Sequence, residues 1–366
     1  MSESRRPVGF GRRIDDPPGK AVDPVVAAVP GAANLDEQTA ANLLPDRPQR
    51  GHKGVFGKLL VIAGSLDYAG AALLVCRAAG RAGAGLVTLA VPESLQPLFA
   101  AKVVEATTMA LPEDDVEEVD PEPAMGRILD HDHDAIVLGP GLRPGLATTE
   151  LISAILTGPD ESTPAPTVVD AEALRSLASL DGWWDGVTSK AVLTPHVGEF
   201  RRLRAGSGVD PDGDGDLVAD DPSRVRAAAA AAAQWRQVVV LKGARTVIAA
   251  PEGRVAIAPF ENPALASGGT GDVLSGTIGA LLAQGLPPFD AARLGVYLHG
   301  LAGEAVRSRL GDAGLLASDL CEELPYARKR LSFIAKKRPA KRVGFGAREA
   351  ATREASEREA KEREAE

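Results

Sequence analysis

Asn262-Pro-Ala-Leu-Ala-Ser-Gly268-Gly269-Thr270-Gly271-Asp272-Val-Leu-Ser275-Gly276 is the stretch on which the reading of this chain turns. Glycines and a threonine stand immediately before an apolar helical run, and the first turn of that run holds an aspartate. Glycine lets backbone approach an anion closely, and the unpaired amides of a helix start point toward it. The pattern therefore suits phosphate. A carboxylate there would repel a merely bound anion, so Asp272 makes chemical sense as a general base. It would take a proton from a hydroxyl while the neighbouring amides stabilise charge on a transferring phosphoryl group. A capped helix following a flexible loop is the competing explanation of the same string.

Upstream, short apolar runs alternate with helical patterns. Lys58–Ala63, Leu86–Val91, Ala135–Leu138, Thr167–Val169, Ala191–Thr194 and Val238–Leu241 read as buried strands. Thr246–Ala250 and Val255–Ala258 read as a hairpin, and Leu35–Leu44, Ala69–Ala84, Arg226–Trp235, Gly271–Gln284 and Pro288–Arg307 as helices. This alternation predicts an α/β fold, a central mostly parallel sheet with helices on both faces. Several strands end in glycine or in one polar residue. Ligands bind at that carboxyl edge in open α/β sheets, so Gly64, Gly141, Asp170, His196 and Lys242 are expected along one rim. No GxxxxGK[ST] loop is present, and no dinucleotide glycine fingerprint stands after a strand.

The whole chain has 366 residues, 45% of them hydrophobic, and a net charge of −9, which argues against a nucleic-acid partner. Cys76 and Cys321 make no disulfide framework, so a reducing cytoplasmic setting is expected. Residues 1–24 lack the apolar core of a signal peptide, and no uncharged apolar run approaches the ~18 residues of a membrane span. Residues 1–34 read as a disordered tail, 35–325 as the catalytic domain and 326–366 as a charged extension. Arg328–Arg342 carries eight basic residues and no acidic one, and it reads as a solvated, partly helical tail. Asp210–Asp221 nearly fits a calcium-loop pattern, but Pro222 and Gly206-Ser-Gly208 spoil the flanking helices; a solvated acidic insertion fits better.

The Asn262–Gly276 string resembles the GTGD-type signature of the ribokinase-like superfamily. Six further motifs narrow the resemblance: Gly64–Ala71, Arg81–Val87, Leu138–Leu142, Val169-Asp170-Ala171, Leu193–Phe200 and Leu241–Thr246. Together, over roughly Leu35–Pro325, they resemble the ADP-dependent NAD(P)H-hydrate dehydratase family. The resemblance implies ADP- or ATP-driven dehydration of the S epimer of hydrated NADH or NADPH, a cofactor-repair reaction. It implies Asp272 as base; Gly269, Thr270 and Gly271 as the anion hole; and Lys242, Gly243, Ala244, Arg245, Thr246 and Gly271 around the nucleotide. Ala71, Gly141 and His196 would contact the hydrated cofactor with Asp272, and Glu199 and Asp170 would organise Mg²⁺ through water. The first 50 residues are too few for the epimerase domain that many relatives carry. A standalone form is therefore expected, served by a separate epimerase and assembled as a homo-oligomer, with no membrane partner. A small-molecule alcohol kinase of the same superfamily and a non-catalytic nucleotide sensor are the alternatives.

Overall fold

The computed structural model describes residues 24–27, 29–114, 118–158, 164–207 and 215–335. Its strands are β1 (Ala32–Asn34), β2 (Lys58–Ile62), β3 (Leu86–Pro92), β4 (Thr107–Leu111), β5 (Ala135–Leu138), β6 (Thr167–Val169), β7 (Ala191–Leu193), β8 (Val238–Leu241), β9 (Val247–Ala249) and β10 (Val255–Ile257). They form one sheet in the order β1-β10-β9-β8-β7-β6-β5-β2-β3-β4. β9 runs antiparallel to β8 and β10, and every other pairing is parallel. Successive residues of β2 alternate between two apolar cores: Leu59 and Val61 face one, Leu60 and Ile62 the other. That is the pleat of a sheet covered on both sides, and it explains why the strands read as continuous apolar runs.

From β2 the chain proceeds outward to β3 and β4, and from β5 it proceeds the other way to β8. The topological switch point therefore lies between β2 and β5, where such sheets open a crevice at their carboxyl ends. The Gly64 amide, just past β2, donates to the Pro140 carbonyl just past β5 at 2.8 Å. Beyond this seam Asp170, His196 and Lys242 follow the ends of β6, β7 and β8, so the expected rim is formed in spatial order.

The helix Thr270–Ala283 packs over β2, β5 and β6 and against the helix Ala69–Ala82. Two glycines permit the approach. A Cβ on Gly276 would stand 2.4 Å from the Val75 carbonyl oxygen, and one on Gly279 would stand 2.3 Å from Val137 Cγ2. Its N-terminus is thereby fixed at the carboxyl edge of the sheet.

Several expected boundaries move. Ala32–Asn34 pairs with β10, and Val25 is buried, so part of the expected 1–34 tail belongs to the body. The short helix expected at Leu35–Leu44 spans Glu37–Asn42, and Asp36 caps it by accepting from the Thr39 amide at 2.7 Å. The helix Ala317–Ala335 runs through Pro325 and buries Leu324, Ala327 and Leu331. Its Arg328 donates to the carbonyls of Ala82 and Pro45, and Arg330 pairs with Glu37 at 2.6 Å. Residues 326–335 are thus docked rather than solvated, because the sequence puts leucine and alanine on one helical face and arginine on the other.

The remaining tail residues, and 208–214 of the acidic string, lie outside the described residues. Asp216 accepts from the amides of Val218 and Ala219, and Asp220 caps the helix Asp221–Trp235. Among the described residues no helix is long and apolar enough to cross a membrane.

Candidate active site

Gly269 adopts a left-handed φ of +86° and delivers the chain into the helix at Thr270. The Thr270 hydroxyl donates to the carbonyls of Leu265 and Ser267 at 2.8 and 2.9 Å, closing the preceding loop on itself. The Thr270 amide reaches the Ser267 carbonyl at 3.4 Å, whereas the amides of Gly271 and Asp272 have no acceptor within the first helical turn. The amides of Gly269, Gly271 and Asp272 thus stand without a backbone acceptor at this helix start, two of them from the expected trio Gly269, Thr270 and Gly271.

Asp272 sits in the same turn. Burial, reinforced by the Asp170 carboxylate and partly offset by Lys242, pushes its carboxyl up to about 7. A carboxylate poised there is half ionised near neutrality, as a general base requires.

Lys242 Nζ donates to Asp170 Oδ1 at 2.9 Å and lies 3.8 Å from Glu199 Oε2. Asp170 is 2% exposed, and its second oxygen accepts from Ser275 Oγ at 2.6 Å. Burial works against the Lys242 ammonium, but Asp170 and Glu199 together hold its pKa raised. Burial likewise raises Glu199, against the pull of Lys242. The Cβ position of Gly271 lies 3.4 Å from Lys242 Nζ, so a side chain at 271 would crowd the ammonium.

A cavity of about 510 Å³ opens on one side of Lys242 and Gly271. Gly243, Ala244 and Thr246 line it from the β8–β9 turn, and Phe260, Leu265 and His299 from the opposite wall. The guanidinium of Arg245, in the same turn, pairs with Asp221 at 3.2 Å and approaches Asn34. The turn itself is moulded over the buried Arg224, which donates to the carbonyls of Ala244 and Leu241. A Cβ on Gly243 would meet Arg224 Nη2 at 2.7 Å.

The switch-point residues pack against one another. Gly141, at φ +68°, is packed so closely that a Cβ there would be 2.7 Å from the Tyr68 carbonyl oxygen and 2.9 Å from Ala71 Cβ. Ala71 and Gly141 thus form one small-residue surface. His196 caps the helix Val197–Gly206: its Nδ1 accepts from the amides of Gly198 and Glu199, and Glu199 Oε2 accepts from the His196 amide. Its Nε2 lies 3.5 Å from Glu199 Oε1, and more than half of the side chain is exposed.

Asp170 and Glu199, expected to organise Mg²⁺ through water, are both engaged by protein groups. Both oxygens of Asp170 are occupied by Lys242 and Ser275, and Glu199 is shared between Lys242 and the His196 cap. Among the described residues no group of three or more His, Cys, Asp or Glu could hold a metal. The donor set fits Mg²⁺ carried by phosphate oxygens and water, not a protein cage.

Ser275, Arg224 and His299 escaped the sequence reading. Ser275 is one helical turn from Asp272 within the quoted string, a spacing that could have flagged it. Arg224 sits in an alanine-rich helix with no local signal, and the partner of His299 lies in another helix.

The chain is similar to known proteins over most of its described residues. A family model described as NAD(P)H-hydrate dehydratase matches residues 59–326. The chain is 41% identical over 290 residues to the bifunctional NAD(P)H-hydrate repair enzyme Nnr of Moorella thermoacetica, covering 79% of this chain and 52% of that protein. It is 34% identical to the ADP-dependent (S)-NAD(P)H-hydrate dehydratase of Neisseria meningitidis, covering 78% of this chain and 90% of that one. A Bacillus subtilis ADP/ATP-dependent NAD(P)H-hydrate dehydratase, co-crystallised with ATP/Mg²⁺, superimposes with a TM-score of 0.67 at 33% identity, covering 81% and 98% of the two chains. The chain spans about half the length of the bifunctional relatives. It belongs to the NAD(P)H-hydrate dehydratase family.

Proposed function

From that membership and the geometry of the rim, we propose that this protein uses ADP or ATP to dehydrate the S epimer of hydrated NADH and NADPH. The observation that carries the reading is the meeting of two sites at one helix start. Gly271 and Lys242 wall a nucleotide-sized cavity, and Asp272, a carboxyl tuned to about 7, stands at the next residue of the same helix start.

The nucleotide occupies the cavity with its terminal phosphate at the Gly271 and Asp272 amides and Lys242. Asp272 takes the proton of the substrate hydroxyl as its oxygen bonds to the terminal phosphorus, and the phosphoanhydride bond breaks to release AMP from ADP. The carbon–oxygen bond of the phosphorylated hydrate then breaks as the ring nitrogen lends its electron pair. Inorganic phosphate departs, and loss of a proton from the adjacent carbon restores the double bond. Mg²⁺ riding on the phosphates would neutralise their charge. Ala71 and Gly141 admit the ring, and His196, exposed beyond its cap, contacts the hydrate. We further propose that epimer interconversion falls to a separate epimerase, and that the protein works in the cytoplasm as a homo-oligomer.

The test is incubation with hydrated NADH and ADP or ATP, following NADH absorbance and AMP and phosphate release together. Regenerated NADH with an equal amount of phosphate is expected, matched by AMP when ADP is supplied and by ADP when ATP is supplied. A phosphorylated alcohol without NADH would mean a kinase, and binding without turnover a sensor.

A further inference from the structure

His299 lies in the helix Pro288–Leu310, and its Nε2 is 2.9 Å from the carbonyl oxygen of Thr270. A carbonyl can only accept, so Nε2 carries the proton and donates. The oxygen has two lone pairs and can take this bond beside the helix's own. The same ring forms part of the cavity wall, and the helix that carries it is closely packed. Where Gly300 lacks a Cβ the Phe260 ring fills the space, and Leu265 does the same at Gly303. Burial, aided by the nearby Lys242 ammonium, pushes the imidazole down to about 4, so the ring is neutral at physiological pH.

The Thr270 carbonyl and the Gly271 amide belong to one planar, trans peptide unit, so they point in opposite directions. A hydrogen bond gripping the carbonyl therefore sets the direction of the amide. Gly271 has no side chain to restrict that plane, and a donor on the carbonyl also polarises the amide toward stronger donation. The Thr270 hydroxyl anchors the residue to the 265–267 loop on one side, and His299 anchors its carbonyl on the other.

We propose that His299 is a positioning residue that grips the Thr270–Gly271 peptide from the nucleotide cavity and aims the Gly271 amide at the nucleotide's terminal phosphate. This rests on the reading that the phosphoryl group sits at that turn.

The experiment compares ADP with adenosine binding by calorimetry in the wild type, His299→Leu and His299→Gln, beside turnover of the hydrate. The leucine variant should keep adenosine affinity within about threefold, lose ADP affinity by about tenfold, the scale of one hydrogen bond to a charged group, and lose kcat with little change in KM for the hydrate. The glutamine variant, with a terminal amide able to donate, should regain most of both. Equal losses for ADP and adenosine would make His299 a wall residue and overturn the proposal, as would unchanged binding and kcat or no recovery in the glutamine variant. If the leucine variant does not fold, His299→Asn, whose amide stops near the Nδ1 position, should show the same selective loss. A wild type that favours ADP over adenosine yet regenerates no NADH would sink the functional reading alone, because the affinity ratio still tests His299.

Discussion

Lys242 Nζ lies 2.9 Å from Asp170 Oδ1, joining the end of β8 to the end of β6 close to Gly271. Through Ser275 the same carboxylate reaches the helix that carries Asp272. One buried aspartate thus pairs with a cation, bonds to the helix and adds to the rise that burial gives the Asp272 carboxyl. Removing Lys242 leaves Asp170 charged and buried. Lys242→Met should therefore cost about 3–5 kcal/mol of stability, the range for breaking a buried pair by deleting one partner. Asp170→Asn in the same chain should return much of that stability, but not ADP affinity. Urea unfolding and ADP titration of the two singles and the double give the cycle, and additive losses would mean that the pair is not coupled.

Asp272→Asn should bind ADP about as well as the wild type while turnover falls by roughly two to four orders of magnitude, as expected for loss of a general base. Nucleotide titration and single-turnover NADH regeneration check the two halves separately. Full activity in this variant would remove Asp272 from the mechanism.

The raised pKa of Asp272 makes two opposite demands on pH. Activity needs the ionised form, so kcat/KM should climb as pH rises through about 7 and then level. Stability runs the other way. Between the ordinary carboxylate range and about 7 the folded protein holds a proton that the unfolded chain has released, so its stability falls as pH rises through this window. Asp272→Asn should accordingly raise Tm more at pH 8 than at pH 4.5. An equal Tm change at both would show that the folded carboxyl is not shifted.

The glycines of the signature are not equivalent. Gly268 has open space where a Cβ would stand and no left-handed φ, so Gly268→Ala should fold and bind ADP normally. Gly269→Ala meets a φ of +86° and Leu74 Cδ1 at 2.7 Å. It should destabilise the protein by about 1–2 kcal/mol from the left-handed backbone alone, and weaken ADP binding by disturbing the turn. Thermal melts and ADP titration of the two variants side by side decide this.

The sheet was legible because its strands are buried on both faces and read as unbroken apolar runs, as in the Val238–Leu241 strand. β4 was not, because Thr107–Leu111 at the sheet edge is partly exposed and its threonines break the run. The basic run beyond Pro325 suggested a solvated extension, yet Leu324, Ala327 and Leu331 bury enough apolar surface for the helix to continue through the proline.

By itself the sequence determined the alternation of strands and helices, the polar residues at the strand ends, and the junction of a glycine turn with Asp272. These depend on local backbone preferences and on periodicity, which neighbouring residues carry. Tertiary structure alone decided that Asp170 serves Lys242 and Ser275, that Arg224 supports the turn beside the cavity, and that His299 holds the peptide before Asp272. Those partners are 72, 105, 20 and 29 residues apart in the chain, and no local pattern encodes a contact made only when the sheet brings distant strand ends together.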